Sequence, residues 1–395
     1  MIDYNKYIGK NAGAIPPSGI RKFFDIVAVM KDAISLGVGE PDFDTPWSVR
    51  NSAINCIKRG DTQYTSNTGM LQLREAISKY LKIRYNLTYD ANTEILVTVG
   101  ASEGIDLALR MLINEGDEIL IPEPSYVSYQ PCVTLCNGVA KPVACFIKDE
   151  FRVTAENLEK AITPNTKALI LPYPNNPTGS IMERKHLEEI AQVVSKHDLI
   201  VISDEIYSEL TYGVKHVSFA DIEGMRERTI VLNGFSKAFA MTGWRLGYVA
   251  APKPFLDIML KIHQYAIMCA STVSQYAGLK AMEDGFLDNF STIEEMHEQY
   301  DMRRRFIVKK LNEIGLTCFE PKGAFYVFPD VSTVGMTGEQ FATELLKAKK
   351  VAVVPGIAFG ESGNNFVRIS YAYSIKKLQI AMERIEEFVK EIKSK

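Results

Sequence analysis

From residue 95 onward, short runs of β-branched and aliphatic residues alternate with stretches whose apolar positions recur at helical spacing. The runs cover 95–99, 118–121, 168–171, 199–203, 229–233 and 246–250. Between them, Ile105, Leu107, Ala108, Leu109 and Leu112 mark a helix over 102–113, and Leu187, Ile190, Val193 and Val194 mark another over 183–197. Strands alternating with helices predict an α/β domain with a largely parallel central sheet. Only about a dozen residues separate Asn233 from Leu246, too few for a helical crossover, so these two strands are predicted to be antiparallel. Lys237 and Arg245, between them, then fall on the sheet edge that holds the carboxyl ends of the parallel strands, where α/β folds bind ligands.

After residue 286 the pattern changes to a long charged helix over 289–314, followed by apolar segments at 323–329 and 351–356. This predicts a second, smaller α+β domain, and 395 residues exceed what a single hydrophobic core usually supports. Periodicity alone does not assign the first 45 residues to either. A net charge of -3 offers no broad basic surface for nucleic acid or an anionic membrane, which leaves a small molecule as the expected partner. The first residues lack the apolar core of a signal peptide, and no apolar run approaches the roughly 18 residues of a membrane span, so a cytoplasmic location is expected. The cysteines form no Cys-x-x-Cys pair and the histidines no His-Glu-x-x-His, so neither a disulfide frame nor a metal is expected.

Candidate chemistry concentrates in residues 234–247 (GFSKAFAMTGWRLG). A lysine just past an apolar run can be desolvated, which lowers its pKa and frees its lone pair to attack an aldehyde; pyridoxal phosphate is the obvious one. Arg245, eight residues on, could give that cofactor's phosphate a fixed cation. A single lysine is more often a solvated loop charge, so the reading depends on partners at other strand ends. A protonated pyridine nitrogen needs a buried carboxylate, for which Asp204 and the adjacent Glu205 compete, against the plain reading of a turn aspartate. Tyr207 and the 175–179 turn (NNPTG) offer donors for the ring hydroxyl, and residues 100–102 (GAS) offer a helix start for the phosphate. Arg368 lies inside an apolar β-like run, where a charge is costly unless paired with a substrate carboxylate or a structural acid.

Together these segments resemble the class I and II aminotransferases, pyridoxal-phosphate enzymes of fold type I, and within them the bacterial and archaeal aspartate or aromatic aminotransferases. The resemblance runs in order through 35–46 (SLGVGEPDFDTP), Tyr64 with Gly69 and 73–76 (LREA), 124–129 (PSYVSY), 175–179, 203–207 (SDEIY), the lysine segment, 322–326 (KGAFY), 354–356 (VPG) and 367–370 (VRIS). It implies an aspartate-aminotransferase-like fold: residues 1–46 an N-terminal arm and part of the small domain, 47–287 a large cofactor domain, and 288–395 the small C-terminal domain. By position, Lys237 would form the internal aldimine and shuttle the proton, Asp204 rather than Glu205 would partner the pyridine nitrogen, Asn176 and Tyr207 would hold the ring oxygen, and Tyr126 would stack on the ring. Gly100, Ala101, Ser102, Ser236 and Arg245 would cradle the phosphate, with Tyr64 reaching the phosphate of a second subunit in a homodimer with shared active sites. Arg368 would clamp the substrate's α-carboxylate, with Asn176, Gly39, Ile20 and Phe325 on the substrate side.

The implied reaction moves an amino group from an L-amino acid to a 2-oxo acid, with 2-oxoglutarate the expected acceptor, in a ping-pong cycle. Two departures matter. Gly234 stands where many members have a phosphate-binding serine, and Ser102 stands where some aspartate-specific members have a lysine, so aspartate, aromatic, branched and broad donors all remain open. The nearest alternative is a pyridoxal-phosphate β-lyase, a carbon-sulfur lyase on the same fold. A nucleotide-dependent enzyme lacks its Gly-x-Gly-x-x-Gly or phosphate loop here, and a regulator of this fold would be revealed by failure to bind the cofactor.

Overall fold

The computed structural model describes residues 2–17, 19, 30 and 32–394. Its principal sheet contains β2 (Ile95–Thr98), β3 (Glu118–Glu123), β4 (Val139–Ala144), β5 (Thr166–Leu171), β6 (Ile200–Asp204), β7 (Thr229–Gly234) and β8 (Gly247–Ala250). Their order across the sheet is β2-β8-β7-β6-β5-β3-β4. Pairings from β4 through β7 are parallel, while β8 runs antiparallel to both β7 and β2. The single reversed strand is the one required by the short 234–246 connection.

Strands β5 to β8 are buried on both faces over most of their length, as expected of a sheet covered by helices. Helix Gly100–Leu112 lies across β7 and β8, and Gly104 lets it settle there. A Cβ at that position would stand 3.0 Å from a Leu232 methyl and 3.1 Å from one of Val249. Strand β4 escaped the sequence reading because it is an edge strand carrying Lys141 and Pro142, with only Val143 fully buried, so it shows no continuous apolar run.

The C-terminal part begins with helix Ser291–Ile314, close to the predicted 289–314. Its strands are short: β9 (Tyr326–Val327), β10 (Val351–Ala352), β11 (Val354–Pro355) and β12 (Val367–Ser370), with β12 between β9 and β11 and antiparallel to both. From the N-terminal side, β1 (Ile34–Ser35) pairs parallel with β10, which brings Leu36 into the hydrophobic cluster of Phe325, Tyr326, Val367 and Ile369. Helix Ile375–Lys393 closes that cluster through Leu378, Ala381, Ile385 and Phe388. All six cysteines are unbridged.

Candidate active site

The parallel strands deliver their carboxyl ends to one edge, and the candidate residues arrive there from separate strands. Asp204 ends β6, Lys237 follows β7, Arg245 precedes the reversed β8, Tyr126 follows β3, Asn176 follows β5, and Gly100 opens the helix after β2. Residues far apart in sequence are thereby brought to one place by topology.

Lys237 is half-buried, and its Nζ donates to the Gly39 carbonyl at 2.6 Å. The amine lies 5.6 Å from the centre of the Tyr207 ring and 5.7 Å from that of Phe325. Burial pulls its pKa from the ordinary 10.5 down to about 8; Arg368 and Arg245 push the same way, while Glu40 and Asp204 oppose. Asp204 is 6% exposed. Its Oδ2 accepts from the Tyr129 hydroxyl at 2.7 Å and its Oδ1 from the Ile206 amide at 3.3 Å. Burial raises its pKa, with Glu205 adding to the rise; the hydrogen bonds from Tyr129 and Ile206, and the Lys237 charge, counter it.

Geometry separates the two adjacent acids, between which only the family resemblance had chosen. Glu205 is engaged elsewhere, accepting from Ser203 Oγ at 2.8 Å and Ser218 Oγ at 2.7 Å, with His216 Nε2 at 3.0 Å. The two asparagines of the 175–179 turn divide likewise. Asn175 holds its own turn by accepting from the Thr178 amide and hydroxyl, whereas Asn176 Oδ1 accepts from Arg368 Nη1 at 2.9 Å.

Arg368 is 3% exposed on β12. Its guanidinium donates to Asn176 and to the Gly37 carbonyl, and lies 4.6 Å from the Tyr326 ring centre and 4.9 Å from that of Phe359. Among the described residues it forms no salt bridge, and its buried Nε has no partner. A buried cation held by neutral groups alone, with a donor to spare, is built to receive an anion. Tyr207 and Tyr326 meet through their hydroxyls at 2.8 Å, beside Phe325 and Gly39; a Cβ on Gly39 would stand 2.5 Å from the Tyr326 oxygen.

The residues expected to cradle a phosphate lie where two backbone segments approach closely. No side chain caps helix Gly100–Leu112, which leaves its first amides for an external acceptor. Gly247 passes so near that a Cβ there would stand 2.6 Å from both the Ala101 nitrogen and the Gly100 carbonyl carbon. Arg245 adopts a left-handed φ of 49° and lays its guanidinium over Gly100, where a Cβ would meet Nη2 at 2.7 Å. Ser236 is buried at the turn after β7, and Ser102 is exposed in the first helical turn. Gly234 has no side chain for a simple reason: its Cβ would meet Gly247 Cα at 2.9 Å, where β7 and β8 pair.

Two candidates stand apart. Tyr64 is 79% exposed, on a segment pinned by Thr272 Oγ1 to the Gln63 carbonyl and by Gln275 to Thr65. Ile20 lies outside the described residues. Sequence reasoning missed Tyr129 and Tyr326. Both sit inside quoted motifs, but their roles as partners of Asp204 and Tyr207 depend on contacts 75 and 119 residues apart.

The family model for aminotransferase class I and II matches residues 31–385. The chain belongs to that family. It is 49% identical over 380 residues to an aspartate aminotransferase of Pyrococcus abyssi, covering 96% of this chain and 97% of the relative. It is 45% identical, again over 380 residues and with the same coverage, to an aromatic-amino-acid aminotransferase of Thermococcus litoralis. The crystal structure of an aromatic aminotransferase from Pyrococcus horikoshii superposes with a TM-score of 0.90 at 47% identity, covering 94% of this chain and 99% of the other. The protein is an aminotransferase, with the mostly parallel sheet and single reversed strand of fold type I. No helix among the described residues is long and apolar enough to cross a membrane.

Proposed function

We propose that this aminotransferase uses pyridoxal 5'-phosphate to move an amino group from an L-amino acid to a 2-oxo acid, with 2-oxoglutarate as acceptor, in a ping-pong cycle. The residues fit such a cofactor. The uncapped turn at Gly100, Ala101 and Ser102, with Ser236 and Arg245, suits a phosphate; the buried Asp204 carboxylate suits a pyridinium nitrogen; Tyr207 and Asn176 suit the ring oxygen; and the Tyr126 ring suits its face. When bound, the cofactor supplies an aldehyde and an electron-withdrawing ring that can hold the substrate's electron pair and carry its nitrogen.

The observation that carries the reading is the pair of basic side chains, half-buried Lys237 and buried Arg368, brought to one site. Lys237, with its pKa near 8, supplies a neutral amine in a useful fraction at physiological pH, able to take a proton from the substrate α-carbon and return it. Arg368 holds the α-carboxylate through its free Nε and its forked nitrogens, which fixes the α-carbon relative to Lys237. Asp204, kept in place by Tyr129, stabilises positive charge on the ring nitrogen. Tyr64, exposed on a pinned segment, is read as reaching a second copy, so the working unit is a homodimer with shared active sites. We assign residues 47–287 to a large domain, 288–395 to a small one and 1–46 to an N-terminal arm shared with the small domain, and place the protein in the cytoplasm.

The test is an assay of aspartate and aromatic amino acids with 2-oxoglutarate. Stoichiometric formation of glutamate and the donor's 2-oxo acid is expected. Release of ammonia and pyruvate from substrates with a β leaving group, without glutamate, would replace this reading with that of a carbon-sulfur β-lyase.

A further inference from the structure

The turn that precedes helix Gly100–Leu112 is held from an unexpected direction. Its last residue before the helix, Val99, has no side-chain cap to organise it, and Gly100 takes a left-handed φ of 74°. Glu103 reaches back from the first turn, and its Oε2 accepts from the Val99 amide at 2.5 Å. The other carboxylate oxygen lies 2.6 Å from Nδ1 of His263, a residue 160 positions away on helix Lys253–Ala266. His263 is completely buried, and its Nε2 has no partner among the described residues.

Burying an imidazole with one nitrogen unpaired costs stability, since that nitrogen loses water and gains nothing. An apolar side chain would pack helix Lys253–Ala266 against helix Gly100–Leu112 without that cost. What a histidine adds is a donor aimed at Glu103. Such a donor locks the rotamer of the carboxylate, and the carboxylate in turn locks the Val99 peptide, immediately before the three amides assigned to the cofactor phosphate.

We propose that Glu103 and His263 form a positioning pair that holds the 99–102 turn in its phosphate-binding geometry. The inference rests on the cofactor reading given above. Neither residue touches the phosphate; they act through Val99. An Asp or Ser cap would satisfy the helix end but would occupy the amides that the phosphate needs. Anchoring from behind leaves those amides open.

The test compares the apoenzymes of wild type, His263→Leu and His263→Asn, titrated separately with pyridoxal 5'-phosphate and with pyridoxal, which lacks the phosphate. The asparagine amide nitrogen stands near the position of Nδ1 and keeps the donor. The leucine variant is expected to bind pyridoxal 5'-phosphate about tenfold more weakly or worse, with pyridoxal affinity nearly unchanged, and the asparagine variant is expected to recover most of the loss. Unchanged affinity for the phosphate form in His263→Leu, or an equal loss for both ligands, would overturn the pair's role, because a merely structural residue has no reason to single out the phosphate. Should His263→Leu fail to fold, Glu103→Ala removes the same contact with a strong helix former, and the same comparison applies. Its lost negative charge by itself favours the phosphate, so a weakening confined to pyridoxal 5'-phosphate there supports the pair all the more strongly, while an equal loss for both ligands overturns it. A wild-type protein that binds neither ligand removes the cofactor reading itself, an outcome distinct from variants that bind as well as wild type.

Discussion

Lys237 illustrates how a fold sets the chemistry of one atom. Its ammonium loses hydration in the site and faces two arginines, so its folded pKa of about 8 lies below the ordinary 10.5. Between those values the folded chain holds fewer protons than the unfolded one, so the lysine's contribution to stability rises with pH across that window and its penalty is complete below pH 8. Lys237→Met is therefore expected to stabilise the cofactor-free protein at pH 7 by roughly 1–2 kcal/mol, an advantage that shrinks above pH 8; chemical denaturation at pH 6.5, 8 and 9.5 reads it. The same variant should have no transaminase activity. Arg368→Lys keeps the charge but loses the fork, so KM for the amino donor should rise about 10- to 100-fold with a smaller change in kcat. An equal fall in kcat with unchanged KM in steady-state kinetics would contradict the clamp. At this scale the sequence was legible where a motif marks a residue: Lys237, Arg245, Asp204 and Asn176 lie at one edge of the seven-stranded sheet, and Arg368 reaches Asn176 from β12. Tyr129, Glu103 and His263 were not legible, because a hydrogen bond between residues 75 or 160 positions apart leaves no local pattern.

At the level of elements, the site depends on how closely β8 passes the start of helix Gly100–Leu112. A methyl group on Gly247 would stand 2.6 Å from backbone atoms on that turn, and backbone cannot rotate away as a side chain could. Gly247→Ala should therefore cost about 1–3 kcal/mol and, by displacing the turn, weaken the binding of pyridoxal 5'-phosphate. Thermal unfolding and cofactor titration of the same sample check both. Strand identity was readable wherever burial demanded an unbroken apolar run, as in β5 to β8, and the short link between β7 and β8 dictated the reversal. It was unreadable in β4, where solvent on the sheet edge admits Lys141 and Pro142, and the two-residue strands β9 to β11 showed only as apolar segments, being too short to carry a period.

On the scale of the whole molecule, the site draws on both ends of the chain. Gly37 and Gly39 come from the N-terminal segment that pairs through β1 with β10, and Arg368 comes from β12, while the lysine and aspartate belong to the seven-stranded sheet. Composition could suggest two domains but could not say that residues 34–37 return to meet β10 and β12, since that depends on long-range strand pairing. The exposed Tyr64 leads to a further expectation: the protein sediments as a dimer, and Tyr64→Ala weakens cofactor affinity without dissociating it. A fully active monomer would contradict shared sites. The most direct test of the account is the near-ultraviolet and visible spectrum of the cofactor-loaded protein, titrated with single amino acids in the absence of any 2-oxo acid. The band of the cofactor's pyridoxal form is expected to convert to that of its pyridoxamine form, with one 2-oxo acid produced per site, and Lys237→Ala is expected to abolish the conversion. A band that persists through every amino acid, aspartate and the aromatic ones included, would contradict the account.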